Sequence, residues 1–169
     1  MKELKGSKTE KNLLTAFAGE SQANRKYLAF AKQADKEGYK QAAKLFRAAA
    51  EAETVHAHAH LRALEGVKST SENLKEAISG ETSEYTEMYP AMIGESKEDG
   101  NKAAERSFTY ANEVEKVHAS LYQKALDNLD NMEEADYYIC SVCGFTCEME
   151  PPERCPVCGA KSTAFFKVD

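Results

Sequence analysis

A glutamate and a histidine three residues apart occur twice in the chain, as Glu53-x-x-His56 and Glu115-x-x-His118. On a helix, that spacing puts both side chains on one face, so each pair aims an oxygen and a nitrogen at the same region. A lone glutamate precedes each pair at nearly the same distance, since 53 − 20 = 33 and 115 − 81 = 34. The chemistry such groups do together is metal ligation. Carboxylates turned inward without a partner cost several kcal/mol each, and divalent cations remove that cost. Glu20, Glu53, Glu81 and Glu115 together balance two divalent ions, and an oxygen and imidazole donor set suits iron or manganese.

Symmetry suggests the roles. Glu53 and Glu115 can bridge two metals, Glu20 and Glu81 are terminal ligands, and His118 completes one metal. Aligning the two halves superposes Glu20 on Glu81 at an offset of 61, and Glu53, His56 and Tyr27 on Glu115, His118 and Tyr89 at 62, an internal duplication. Glu84 breaks it, because 84 − 61 = 23 and position 23 is Ala23. A single glutamate on a helix is ordinary solvated surface; two repeated units with matched upstream glutamates in alanine-rich surroundings are not. Tyr27 follows Glu20 by seven residues on the same face, so Tyr27 and Tyr89 are either core packing or hydroxyls that orient the ligating carboxylates. His60 lies four residues beyond His56, but His58 and His60 read as peripheral histidines rather than a second metal site.

The second group is thiolate. Cys140 and Cys143 form one Cys-x-x-Cys knuckle, Cys155 and Cys158 another, each followed by glycine. The glycines allow a tight turn that points backbone N–H groups at sulfur, and four such thiolates make a tetrahedral site for zinc or iron. Cys147 fits neither knuckle and reads as a free thiol.

Helices must position the first group. After a polar lead-in over residues 1–6, Ser7 or Thr9 can cap a first helix with Glu10 in a capping box, and Gly38 stops it. A second runs from about Tyr39 to Glu65, ended by Gly66. Thr70 or Ser71 caps a third, which Pro90 should kink, and a fourth spans about Asn101 to Met132. Near Glu133–Asp136 helical periodicity stops and a Cys-, Gly- and Pro-rich lobe begins. So short a lobe needs a metal staple. The expected division is 1–134 for a mainly α, four-helix bundle and 135–169 for a metal-bound β/loop lobe.

The formal charge of −6, from 28 acidic against 22 basic residues, gives no reason to expect a nucleic-acid partner. No stretch approaches the roughly 20 apolar residues that span a bilayer, and Met1-Lys2-Glu3-Leu4 is unlike a signal peptide. A cytoplasmic protein is expected.

With Glu20, Glu53-x-x-His56, Glu81-x-x-Glu84 and Glu115-x-x-His118 followed by two cysteine knuckles, the chain resembles the rubrerythrin family over essentially its whole length. The resemblance implies a ferritin-like diiron bundle followed by a rubredoxin-like lobe with one iron on Cys140, Cys143, Cys155 and Cys158. Zinc would fit the thiolates as well. It implies reduction of hydrogen peroxide to water as oxidative-stress defence in an anaerobe, with electrons from a donor such as rubredoxin and an NAD(P)H-dependent reductase. It also implies that one iron exchanges His56 for Glu84 between redox states. The harder ferric ion favours the anionic oxygen. The alternative is a ferroxidase or iron-handling ferritin-like protein, for which the cysteine lobe would have no use.

One spacing departs from that pattern. His56 and Glu81 are separated by 81 − 56 = 25 residues. In a ferritin-like bundle the second and third helices run parallel, so their connection must cross the bundle. Residues 65–72 reach at most roughly 25–29 Å, against an axial return of about 25–30 Å plus a lateral step of ~10 Å. The sequence therefore predicts a homodimer, domain-swapped or part of a higher oligomer, in which helices 1–2 pair with helices 3–4 of a second chain. A neighbouring chain's cysteine lobe is then expected to serve each two-metal site.

Overall fold

The computed structural model describes residues 4–168; the start of the polar lead-in and the last residue of the cysteine lobe lie outside the described residues. The fold is mainly α with a small β lobe. It divides into two compact units, Met1–Lys68 and Ser69–Asp169.

The first unit is a helix hairpin of α1 (Lys8–Lys36) and α2 (Lys40–Ala63). Ser7 caps α1 by accepting from the Glu10 amide at 3.0 Å, while the Glu10 carboxylate reaches the Gly6 amide instead of closing a capping box. The chain turns at Gly38, whose φ of +84° is cheap only for glycine. Alanines at 31, 34, 43, 50 and 57 form the buried seam, so the two backbones approach closely. Asn24 Nδ2 fastens the hairpin by donating to the Ala50 carbonyl at 2.8 Å and to Thr54 Oγ1 at 2.9 Å. A two-helix hairpin buries one seam. Leu45 is 68%, Val55 64%, Leu14 53% and Phe30 47% exposed.

At the end of α2 the left-handed residue is Glu65, with φ of 56°, and not the expected Gly66. Gly66 packs against Leu61: a Cβ there would lie 2.5 Å from Leu61 Cδ1, and that side chain would have to shift. The next cap also differs from expectation. Ser69, rather than Thr70 or Ser71, forms a capping box with Glu72 and opens α3 (Thr70–Ser83).

The second unit packs α3, α4 (Tyr89–Glu98) and α5 (Lys102–Asp127) together and carries the β lobe. Between α3 and α4 the helix widens into a π turn over Glu84–Met88, with helical backbone angles kept at Ser83, Met88 and Tyr89, and Pro90 follows it as the second residue of α4. Asn101 caps α5, and its side chain accepts from the Ala104 amide at 3.1 Å. In the lobe, β1 (Tyr137–Cys140), β2 (Thr146–Glu148) and β3 (Phe165–Lys167) form an antiparallel sheet in the order β2-β1-β3. Lys124 of α5 ties to Glu148 of β2 at 2.5 Å.

No described helix is long and apolar enough to cross a membrane.

Candidate metal centres

Three groups of side chains place ligand atoms within 4.8 Å of one another among the described residues: Glu20–Glu53–His56, Glu81–Glu115–His118 and the four knuckle cysteines. They hold every expected metal ligand except Glu84. Each carboxylate–histidine trio lies within a single unit. Its first glutamate comes from one helix, and the Glu-x-x-His pair comes from the helix packed against it.

In the first unit, His56 Nδ1 lies 2.9 Å from Glu53 Oε2. In the second, His118 Nδ1 lies 2.6 Å from Glu115 Oε2 and 3.8 Å from Glu81 Oε1. The trios are thus repeats in geometry as well as sequence. So are their aromatic neighbours: Tyr27 packs on Phe46 with centroids 6.2 Å apart, and Tyr89 on Phe108 at 6.4 Å, both related by the offset of 62.

Charge is concentrated in the second trio. Burial raises the Glu81 carboxyl to about 7, reinforced by the charge of Glu115, a hydrogen bond with it, and the charge of Glu84. Glu84, outside the trio, is also raised, by burial and then by Glu115, while His118 opposes the rise. Tyr89 is held up by burial and by Glu84, Glu115 and Glu81, so its hydroxyl sits in the field of the carboxylates and keeps its proton. Tyr27 lies between Phe30 and Phe46. A group of carboxyls that resists ionisation is one a cation would relieve, and the donor set fits iron on that ground.

Glu84 owes its place to the π turn. From Glu20 to Tyr27 is 27 − 20 = 7 residues, and from Glu81 to Tyr89 is 89 − 81 = 8. The extra residue of the second repeat is absorbed where the helix runs with i→i+5 bonds, and Glu84 opens that turn.

In the lobe, Cys140 Sγ and Cys158 Sγ are 3.7 Å apart, and Cys143 Sγ and Cys155 Sγ 3.5 Å. A tetrahedron of metal–sulfur bonds about 2.3 Å long has edges of about 3.8 Å, so the quartet fits one ion. The knuckles are superposable at an offset of 15: Gly144 N–H donates to the Cys140 carbonyl at 2.8 Å, and Gly159 N–H to that of Cys155 at 2.9 Å. Gly144 and Gly159 have φ of +85° and +75°, and the amides of Phe145 and Ala160 point at Cys143 and Cys158 sulfur. Burial raises the Cys143 thiol, so the protons must be displaced by metal. Cys147 stands apart, its Sγ 3.7 Å from the Glu150 carbonyl.

His58 and His60 join no such group among the described residues. Thr146 was not singled out by sequence. Its hydroxyl lies 3.0 Å from His118 Nε2, a contact between residues 28 apart that no local pattern announces.

The rubrerythrin family model matches residues 11–126, and the model of the rubredoxin-like domain of rubrerythrin matches 138–166. Rubrerythrin-2 of Clostridium acetobutylicum is 36% identical over 96% of this chain and 97% of its own length. Rubrerythrin of Porphyromonas gingivalis is 38% identical over 98% and 92%. Among solved structures, mixed-valence nigerythrin matches with a TM-score of 0.58 at 35% identity, covering 96% of this chain and 87% of that one.

Proposed function

Because the chain belongs to the rubrerythrin family of iron-binding proteins, we propose that it is a hydrogen peroxide reductase, an NADH-linked peroxidase of oxidative-stress defence. In this reading the two trios would together hold two irons, with Glu53 and Glu115 offered to both and Glu20 and Glu81 each to one, and Cys140, Cys143, Cys155 and Cys158 would hold a third. When bound, the two irons would supply the electron pair that, with two protons, reduces hydrogen peroxide to two waters, and the four-cysteine iron would return electrons singly. A donor such as rubredoxin, fed by an NAD(P)H-dependent reductase in the cytoplasm, completes the route.

The chain's own part is positioning and protons. The observation that carries the reading is Glu84, set by the π turn in the field of Glu115 and His118. It is a spare carboxylate beside a half-site that already has its two glutamates, as an exchange with His56 requires. Tyr89, kept protonated by its surroundings, holds a hydroxyl hydrogen among the ligating carboxylates, where it would orient them. The division into a bundle over 1–134 and a lobe over 135–169 is the functional one. The exposed apolar side chains of the α1–α2 hairpin support completion of each bundle by a second copy of the chain in a swapped homodimer.

Stopped-flow oxidation of the fully reduced protein by peroxide, beside oxygen, tests this. The bleached protein should regain its red colour faster with peroxide, with about three irons per chain, and Glu84→Ala and His56→Ala should each slow that return. A return equally fast in both variants, or no preference for peroxide, would overturn the reading.

A further inference from the structure

The two helix pairs are not fastened alike. In the first unit Asn24 of α1 donates to the Ala50 carbonyl of α2 at 2.8 Å. At offsets of 61 and 62 those places are held in the second unit by Tyr85 and Asn112, since 85 − 61 = 24 and 112 − 62 = 50. The asparagine has changed helices. Asn112 follows Phe108 by four residues and precedes Glu115 by three, so the three side chains share one face of α5. Phe108 packs on Tyr89, and Glu115 shares a hydrogen bond with Glu81. That pairing runs antiparallel, so Asn112, between the two, lies level with Glu84 and Tyr85, where the π turn opens and packs on α5.

Two acceptors stand at that level without a donor. Asn112 is 9% exposed, and its Oδ1 has no hydrogen-bond partner among the described residues; its Nδ2 reaches Glu113 Oε1 at 3.4 Å. On the facing helix the π turn has freed the Tyr85 carbonyl. An α step would give it the N–H of Tyr89, which donates to Glu84 instead, and a π step would give it that of Pro90, which has none. Buried acceptors left unpaired are costly, and one molecule with two hydrogens to give serves both at once.

We propose that Asn112 Oδ1 and the Tyr85 carbonyl bind one structural water, which donates to both and pins the π turn to α5. Asn112 is then the positioning residue of the turn, and what the turn carries is Glu84. The first unit needs no such water, because its helix spaces Glu20 and Tyr27 by seven residues where the second spaces Glu81 and Tyr89 by eight, and Asn24 makes the tie itself. The site is built by the chain alone and calls on neither metal nor peroxide.

The test uses the full chain with one zinc per chain, taken up by the thiolates, and no peroxide. Water–protein cross-relaxation spectra should show a water of long residence at the Asn112 side-chain amide and none at that of Asn24. Hydrogen exchange of the Tyr89 amide, whose bond to Glu84 closes the turn, should be roughly 5–10-fold faster in Asn112→Leu, the loss expected for one buried hydrogen bond. Asn112→Ser, which keeps an oxygen acceptor, should restore most of the protection. The wild-type water signal depends on no variant, so it decides the matter even where a variant folds poorly. No long-lived water at Asn112, or Nδ2 bonded directly to the Tyr85 carbonyl, would overturn the proposal. So would a leucine variant whose Tyr89 amide exchanges no faster than in the wild type, or a serine variant no better protected than leucine. If these results hold while peroxide chemistry fails, the proposed activity falls and this inference stands.

Discussion

The amide of Tyr89 donates to the carbonyl of Glu84, five residues back rather than four. That one bond records the extra residue of the second repeat, and Pro90 follows it inside a helix that runs on from α3. A proline inside a helix removes one backbone hydrogen bond and costs about 3 kcal/mol, of which the wider π turn beside the ring relieves a part. Replacing Pro90 by alanine should therefore raise the free energy of unfolding in urea by about 1–3 kcal/mol. No gain would mean that the π turn already accommodates the ring in full.

Glu81 makes the metal-free protein sensitive to pH in a defined direction. Its carboxyl titrates at about 7 when folded, against 4.5 as its ordinary value, so between these limits the folded state holds a proton that the unfolded chain has released. Stability is then fully present below about pH 4.5 and declines as pH rises toward 7, by up to about 3 kcal/mol shared among the coupled carboxyls. Urea midpoints of metal-free protein at pH 5 and pH 8 should differ accordingly. Glu81→Gln should flatten the difference, and so should added ferrous iron, whose binding releases the same proton.

Both ligand inventories were legible from sequence because metal ligation is written in short spacings, and Glu53-x-x-His56 needs only a helix to become half a site. The step from an offset of 61 at Glu81 to 62 at Tyr89 marks the extra residue, but the expectation drawn from the sequence was a kink at Pro90 and not a π turn. The Ser69 cap is written in the sequence as well, since of the three candidates only Ser69 lies three residues before Glu72. What was not legible is what contacts decide: Glu65, and not Gly66, takes the left-handed position, with Gly66 against Leu61. Thr146, one polar residue in a cysteine lobe, has meaning only through α5.

The cap itself can be tested. Ser69→Ala removes the acceptor of the Glu72 amide and should cost about 1 kcal/mol, while Ser71→Ala should remain within about 0.5 kcal/mol. Thermal melts of the two variants side by side would separate them, and equal losses would move the cap.

The five cysteines should divide four to one. Cys140 is 1% exposed, and its sulfur faces that of Cys158, so Cys140→Ser should abolish the red thiolate absorption and loosen residues 137–167 to proteolysis. Cys147→Ser should leave absorption, iron content and melting temperature unchanged, since its sulfur lies outside the quartet. Loss of colour in Cys147→Ser would draw it into the site.

The proposed exchange of helices between chains makes a prediction that size measurements cannot replace. One chain carries Glu53→Ala and His56→Ala, spoiling the first trio; another carries Glu115→Ala and His118→Ala, spoiling the second. Each alone should be inactive with peroxide. If both units of a chain serve the same site, every site in a mixed dimer retains a spoiled half, and mixing restores nothing. If α1 and α2 of one chain complete the bundle of the other, the mixed dimer has one site built from two intact trios and one from two spoiled ones. Unfolding and refolding the two variants together should then recover activity in a quarter of all sites: random pairing makes half the dimers mixed, and half the sites in each are intact. Recovery well above zero after co-refolding, and none after simple mixing of folded dimers, would establish the exchange. No recovery after co-refolding, with normal iron-thiolate colour in the product, would establish that each chain closes its own bundle despite the short connection from Leu64 to Ser69.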